Sequence, residues 1–204
     1  MIGQTERGII MSLYEMNPVL ENGRFCLRKV SSADVGDLHA VYSDLQALPF
    51  FNSDNCDGDN FYYESRKRMK EAVDFWQTAW NNAWFARLAI EDLQSGCVIG
   101  TTELCLRVSD DEFNQSVILR IDLRSDYEKK SVLSSLVNLI MDQIPEYFGT
   151  RKVISKAWPY AIERQKAFAG CGFRASSYNL IGKDGYPYRN YWEAESAEPA
   201  KKEQ

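Results

Sequence analysis

The junction at residues 123–136 joins a strand, a short polar loop and a helix, an arrangement suited to binding an anion. Apolar and charged residues alternate from Val117 to Arg124, as in a half-buried strand. From Val132 to Ile144 the apolar residues recur at helical spacing. The first-turn amides of that helix have no partners within it and carry the positive end of its dipole. Such amides can hold a phosphate or pyrophosphate, although an ordinary strand-to-helix turn has the same pattern.

Other reactive side chains occur singly or at unsuitable spacings. His39 is the only histidine, which argues against a catalytic triad or a histidine-rich metal site. Cys171 has no histidine near it in sequence and is interpreted as an inert thiol. The segment from Asp54 to Asp59 is similar in composition to a calcium loop, but its glycine is misplaced and the closing glutamate does not fit the spacing. We therefore expect a polar loop there and no metal.

Composition narrows the class of protein. A chain of 204 residues is long enough for one domain with a full core, and its 45% hydrophobic content is typical of a soluble globular protein. A net charge of -5 argues against a general nucleic-acid binder. The five cysteines are odd in number and lack paired spacing, which indicates reduced thiols and a cytoplasmic protein. No apolar run reaches the length that a membrane span needs, so we expect no membrane partner.

The pattern divides the chain into a leader or N-terminal arm at 1–20, one domain at 21–193 and a disordered charged tail at 194–204. The expected strands are 24–30, 84–91, 97–108, 116–124, 152–158, 173–181 and 188–193. The expected helices follow Ser32, cover 61–81, start near Lys129 and run from Pro159 to Ala169. This order predicts a single-domain mixed α/β (α+β) fold, with about seven strands in a mixed, mostly antiparallel sheet and helices on both faces.

This order of elements, with Cys97-Val-Ile-Gly100 in a central strand and Gly170-Cys-Gly-Phe173 after the last helix, resembles the GNAT family of acyl-CoA-dependent N-acetyltransferases. Within the family, the chain is most similar to the branch that acetylates ribosomal-protein amino termini. The resemblance covers roughly residues 22 to 193. It implies acetyl-CoA as co-substrate and a primary amine as acceptor, either a small molecule or a peptide amino terminus. It also implies direct attack and a monomer or homodimer.

The resemblance also implies where acetyl-CoA binds. The strand before the loop separates from its neighbour, and its exposed backbone, here at Leu123 and Arg124, pairs with the pantetheine arm. The loop amides then hold the pyrophosphate, and two further contacts come from the helix after Pro159. The residues at these loop and helix positions are Glu128, Lys129, Lys130, Ser131, Val132, Leu133, Ala161 and Arg164.

Several of these positions depart from the family pattern. The family normally has glycine where this chain has Ser131, and glycine or alanine where it has Leu133, so we expect these two side chains to narrow the cradle. Glu128 adds a negative charge beside the anion, which Lys129 and Lys130 can offset. Phe168 stands where the family often has a tyrosine that protonates the departing thiolate. These departures support an alternative, in which the chain is a catalytically degenerate GNAT-like binding or interaction module.

Acetyl transfer needs a base for the attacking amine and an acid for the departing thiolate. Glu103 and Asp122, on the polar faces of neighbouring strands, are the candidate bases, and solvent-facing strand carboxylates are the alternative interpretation. Tyr160 is the candidate acid, with Tyr127 and Tyr178 also near in sequence, although such tyrosines often serve as half-buried packing residues. In the family, the second helix and the loop before it form a wall of the acceptor site. The candidate acceptor contacts are therefore Phe50, Phe51, Tyr62 and Tyr63.

Overall fold

The structure, a computed structural model, describes residues 13–197. The strands are β1 Leu20–Glu21, β2 Phe25–Lys29, β3 Ala86–Asp92, β4 Cys97–Arg107, β5 Ser116–Leu123, β6 Lys152–Lys156, β7 Arg174–Ala175, β8 Leu180–Ile181, β9 Pro187–Tyr188 and β10 Tyr191–Glu195. The α-helices are α1 Leu13–Met16, α2 Val35–Tyr42, α3 Arg66–Asn81, α4 Lys130–Met141, α5 Ile144–Phe148 and α6 Ile162–Gly170. None of the described helices is both long and apolar enough to cross a membrane.

Eight of the strands form one sheet, in the order β1-β2-β3-β4-β5-β6-β10-β7. Every neighbouring pair is antiparallel except β5 and β6, which are parallel. β8 and β9 form a separate two-stranded hairpin. The mixed, mostly antiparallel sheet is therefore confirmed. The main sheet exceeds the expected seven strands by β1, which lies in the expected arm. The expected strand 173–181 is divided into β7, in the main sheet, and β8, in the hairpin.

Helices cover both faces of the sheet, as expected. On one face, α4 places Leu133, Leu136 and Ile140 against the odd-numbered side chains of β5. On the other face, α2 and α3 enclose a second core built on Tyr42 and Trp76. Each strand between these layers alternates between the two cores, so a polar residue inside the sheet must be paired.

The parallel strands β5 and β6 separate after a short pairing. Their register pairs only Val117 with Val153 and Ile118 with Ile154. One step further, Ser155 Oγ donates a hydrogen bond to the Leu119 carbonyl at 2.7 Å. Beyond that point no ladder pairing joins β5 to β6 or to the segment that leads to α6, and we call the space between them the cleft. The separation expected beside Leu123 is therefore confirmed.

The backbone of β5 faces this cleft at alternate residues. A Cβ on Gly100 of β4 would lie 2.1 Å from the Asp122 carbonyl oxygen, so this close approach requires glycine and the polar groups of Asp122 point toward β4. The Arg124 N–H likewise donates to the Ile99 carbonyl at 2.9 Å. Because backbone polar groups alternate along a strand, those of Ile121 and Leu123 point toward β6 and the cleft.

Two helix boundaries differ from the expected ones. The expected helix 61–81 begins only at Arg66, because Ser65 Oγ caps it by accepting from the Arg68 N–H. Phe61 has a left-handed φ of 61°, a backbone conformation that is incompatible with a right-handed α-helix at this residue. The expected helix from Pro159 begins instead at Ile162, and Gly170 is its last residue.

The segment after α4 and the two chain ends also differ. Pro145 opens the separate helix α5 instead of ending α4, because proline is tolerated in a first helical turn. Leu13 and Leu20 are buried in the core, so residues 13–20 of the expected arm belong to the domain. At the other end β10 continues to Glu195, and Ser196 is buried. Residues 1–12 and 198–204 lie outside the described part of the chain.

Candidate active site

A row of charged side chains crosses the middle of the sheet. Arg87 of β3 lies opposite Glu103 of β4, which lies opposite Arg120 of β5. The Arg87 Nη2 to Glu103 Oε2 distance is 2.6 Å, and the Arg120 Nη1 to Glu103 Oε1 distance is 3.4 Å. Cross-strand neighbours lie close enough to form such pairs directly. Since Arg87 and Glu103 are buried, the row is a fixed array of charge beneath α2 and α3.

Asp122 lies one step along β5 from this row and is 1% exposed. Its Oδ2 accepts from the Tyr42 hydroxyl at 3.1 Å and from Arg87 Nη1 at 3.2 Å. Its Oδ1 is buried and has no hydrogen-bond partner among the described residues. Burial raises the pKa of this carboxyl above its usual value, against the lowering effect of Arg87 and Arg164. The carboxylate therefore has one oxygen with two hydrogen bonds and one buried oxygen without a partner among the described residues.

Glu103 differs from Asp122 because both of its oxygens are paired with arginines. Burial raises the pKa of the Glu103 carboxyl, but Arg120 and Arg87 outweigh that effect and hold the pKa below its usual value. The alternative of solvent-facing carboxylates is wrong for both candidate bases, because α2 and the loop that follows it cover this face of the sheet. Arg87 was missed, although an arginine inside the apolar run Ala86–Ile90 was a signal of a buried pair.

A second buried pair extends the charged row to β6. Lys156 Nζ lies 2.6 Å from both carboxylate oxygens of Asp54, and the Tyr191 hydroxyl donates to Asp54 Oδ2 at 3.1 Å. Arg120 Nη2 donates to the Asp54 carbonyl at 2.8 Å. Burial lowers the pKa of the Lys156 ammonium, although Asp54 partly offsets this. These contacts hold the expected polar loop down on the sheet, beside the cleft.

The loop between β5 and α4 is held by the chain's own ion pairs. Glu128 forms a bidentate pair with Arg164 of α6, with both distances 2.7 Å and both side chains buried. The Lys130 N–H, at the start of α4, donates to Glu163 Oε2 at 3.1 Å. One of the amides expected to hold pyrophosphate is thus bound to a carboxylate. Arg164 and Glu128, both expected to bind the co-substrate, thus pair with each other, and each neutralises the charge of the other.

The remaining residues expected to bind the co-substrate have mixed surroundings. Val132 and Leu133 are buried in the core, so the expected narrowing of the cradle by the Leu133 side chain is wrong. Ala161 and Leu123 are also buried; the Ala161 N–H donates to the Trp158 carbonyl, so only the Leu123 backbone is left as a group able to bind. Arg124 pairs with Asp126 at 2.7 Å. The exposed members of the set are Lys129, Lys130 and Ser131.

The expected acceptor contacts divide into core and surface residues. Phe51 and Tyr63 are buried and pack on the Tyr42 ring, so their expected contact with a ligand has no exposed surface to support it. Phe50 and Tyr62 are half-buried.

The candidate acid Tyr160 is 55% exposed and lies beside Phe50. Its hydroxyl donates to the Pro49 carbonyl at 2.6 Å. Of the other two tyrosines, Tyr127 donates to Asp92 at 3.0 Å, and Tyr178 is exposed. The Tyr160 hydroxyl thus links the segment before α6 to the loop after α2.

Comparison with known proteins identifies the architecture. A family model described as an acetyltransferase (GNAT) domain matches residues 24–174. The ribosomal-protein-S5-alanine acetyltransferase from Vibrio fischeri has a TM-score of 0.65 at 13% identity, covering 89% of this chain and 98% of that one. RimL, a ribosomal alpha-N-protein acetyltransferase in complex with coenzyme A, has a TM-score of 0.66 at 12% identity, covering 87% and 98%.

The spermidine N-acetyltransferase from Vibrio cholerae, in complex with coenzyme A and spermine, has a TM-score of 0.59 at 16% identity, covering 86% and 97%. At identities this low, the TM-scores of 0.59 to 0.66 show a shared fold and nothing more. No curated protein matches the chain at a significant level. The family model covers well over half of the sequence, and the separated strands β5 and β6 agree with it. The chain belongs to the GNAT family of acetyltransferases.

Proposed function

We propose that the protein transfers an acetyl group from acetyl-CoA to a primary amine by direct attack. The observation that carries this proposal is the Asp122 carboxylate, whose buried Oδ1 has no partner among the described residues and which lies on the strand that separates from β6. A base in such a position can take the proton of an amine, directly or through one water molecule. The structures of RimL with coenzyme A and of the spermidine acetyltransferase with coenzyme A and spermine support the choice of donor and of an amine acceptor.

The backbone of β5 supplies the rest of the donor site. The N–H and carbonyl groups of Ile121 and Leu123 point toward the cleft, where a pantetheine arm can pair with them as another strand would. An N–H at this edge is also a suitable donor to the thioester oxygen, on which negative charge develops during attack. The amine nitrogen bonds to the carbonyl carbon, the coenzyme A thiolate leaves, and the amine proton passes to Asp122 Oδ1.

Other candidate residues take supporting roles in this proposal. Glu103, with both oxygens paired, serves as the counter-ion that fixes Arg87 and Arg120. The Tyr160 hydroxyl donates a hydrogen bond to the Pro49 carbonyl, so we assign Tyr160 with Phe50 and Tyr62 to the wall of the acceptor entrance. The acceptor is a small amine or a peptide amino terminus. All five cysteines are unpaired, which supports a cytoplasmic site of action.

The test combines binding with turnover. We expect calorimetry to detect acetyl-CoA binding, and mass spectrometry to detect acetylation of spermidine or of a hexapeptide with a free alanine terminus. Leu123→Pro removes the backbone donor that points into the cleft and the buried leucine side chain, and should abolish turnover, whereas Leu123→Val keeps that donor and should retain it. Absence of heat with acetyl-CoA or coenzyme A at millimolar concentration would contradict the proposal. That result would favour the alternative of a non-catalytic module, in which Glu128 and Glu163 close the donor site.

A further inference from the structure

Tyr42, at the end of α2, contacts one oxygen of the Asp122 carboxylate. It is fully buried, and its ring packs on Phe51, Tyr63 and Trp76 with centroid distances of 5.2–5.5 Å. Its hydroxyl lies 3.1 Å from Asp122 Oδ2 and 2.7 Å from Thr101 Oγ1. A tyrosine hydroxyl carries one proton, so these two contacts constrain each other.

The direction of the hydrogen bonds follows from the donors present. Arg87 Nη1 donates to Thr101 Oγ1 at 3.1 Å, and a guanidinium cannot accept. Ionised Asp122 is an acceptor only, so the Tyr42 proton points to Asp122 Oδ2 and the Thr101 proton points to the Tyr42 oxygen. The hydrogen bonds therefore run from Thr101 to Tyr42 and from Tyr42 to a single oxygen of Asp122, Oδ2. That oxygen also accepts from Arg87 Nη1, whereas Oδ1 accepts from none of the described residues.

We infer that Tyr42 is a positioning residue that holds the Asp122 carboxylate by Oδ2 and thereby presents Oδ1 to the acceptor amine. This inference rests on the proposed function, in which Asp122 is the base. Tyr42 lies 80 residues from Asp122 in the sequence, on another layer of the fold. No motif connects the two residues, and only the packing of α2 on the sheet brings them together.

The charges around Asp122 determine the expected pH effect. Arg87 from β3, Arg120 from the same strand and Arg164 from α6 all lower the pKa of its carboxyl, and so does the Tyr42 hydrogen bond. Glu103 of β4 is the acidic residue of the neighbouring charged row, between Arg87 and Arg120. Tyr42→Phe removes one stabilising donor and leaves the charges in place, so the pKa of the base rises. Since the base must be ionised, the acid limb of the kcat/KM profile moves to higher pH.

The test compares kcat/KM against pH for wild type, Tyr42→Phe and Tyr63→Phe, with acetyl-CoA and the faster of spermidine and the hexapeptide. Tyr63 is the matched control, because it is also buried, its ring lies 5.5 Å from that of Tyr42, and its hydroxyl donates to Asp59 instead. For Tyr42→Phe we expect the midpoint of the acid limb of the kcat/KM profile to move to higher pH by about one unit, and kcat to fall about tenfold. The KM for acetyl-CoA should stay unchanged.

Three results would overturn the inference. One is a Tyr42→Phe profile that superimposes on wild type, and another is an equal shift in Tyr63→Phe. The third is a change confined to KM. Urea unfolding of each variant confirms that the enzymes compared are folded. If wild type binds acetyl-CoA and acetylates neither amine, the proposed function fails together with the inference. A wild-type enzyme that turns over and a Tyr42→Phe variant without a shift would defeat the inference alone.

Discussion

Replacing Arg87 by methionine tests whether the buried charge row holds the fold together. The guanidinium is 2% exposed, pairs with Glu103 and Asp122, and lies 4.5 Å from the Trp76 ring centroid. Methionine keeps most of the length and the apolar contact but removes the charge. Losing one partner of a buried ion pair typically costs about 3–5 kcal/mol, because a charge is left without compensation. Glu103 keeps Arg120 at 3.4 Å, so Asp122 carries most of the loss.

We therefore expect Arg87→Met to lower the free energy of unfolding by about 3–4 kcal/mol at pH 8. For a domain of this size, that corresponds to a fall in Tm of roughly 6–16 °C. Urea unfolding followed by circular dichroism and tryptophan fluorescence measures the first quantity, provided that the two transitions coincide. Arg68→Met is the control, since Arg68 is 48% exposed beside Asp59 and its pair should contribute at most about 1 kcal/mol.

The loss should also depend on pH. In wild type the pKa of Glu103 is held low, so its stabilising contribution is present above the carboxyl's unfolded pKa and is lost as the pH falls through the folded value. In Arg87→Met the pKa of Asp122, already raised by burial, rises further, so protonation relieves the unpaired charge as the pH falls. The difference between the two proteins should therefore shrink from pH 8 to pH 5. If Arg87→Met lowers the free energy of unfolding by less than about 1 kcal/mol, or if the difference grows toward pH 5, the buried charge row does not stabilise the fold in this way.

Two further outcomes follow from the packing and from the donor loop. Phe168 is fully buried and stacks on Phe173 with centroids 5.2 Å apart, so Phe168→Ala should cost about 3–5 kcal/mol in urea unfolding. Phe75→Ala, at a residue 52% exposed, should cost much less, and equal losses would contradict the assigned burial. Glu163→Gln should tighten coenzyme A binding severalfold in calorimetry at low salt, because it removes a negative charge from the Lys130 amide and keeps an acceptor there. Glu146→Gln, in α5, is the control, and unchanged affinity in Glu163→Gln would place the pyrophosphate elsewhere.

The junction of β5 and α4 could be predicted from sequence because its signals are local. Alternation along β5 and the helical spacing from Val132 onward depend on neighbouring residues alone, and both elements lie where expected. The separation of β5 from β6 was predictable only through the family resemblance. Helix starts were less accurate, since capping by Ser65 and the left-handed backbone at Phe61 overrode the apolar periodicity.

The environment of the candidate base could not be predicted in the same way. Arg87, Tyr42 and Asp122 come from three separate elements, and their meeting depends on strand register and on how α2 packs. Alternation placed Glu103 and Asp122 on one face but could not indicate that α2 and the following loop cover it. Likewise, Glu163 meets the Lys130 amide only because α6 packs against α4. Contacts of this kind are set by tertiary structure and leave no local pattern.

The most direct test of Asp122 as the catalytic base is to measure kcat/KM at pH 8 for Asp122→Asn, with acetyl-CoA and the better of the two amines. Asparagine keeps the shape of the side chain and an oxygen that can accept from Tyr42, but it cannot take a proton as a carboxylate does. We expect kcat/KM to fall about 100-fold or more, with the coenzyme A Kd within threefold of wild type. A variant that binds coenzyme A normally and keeps kcat/KM within about threefold of wild type would show that Asp122 is not the base.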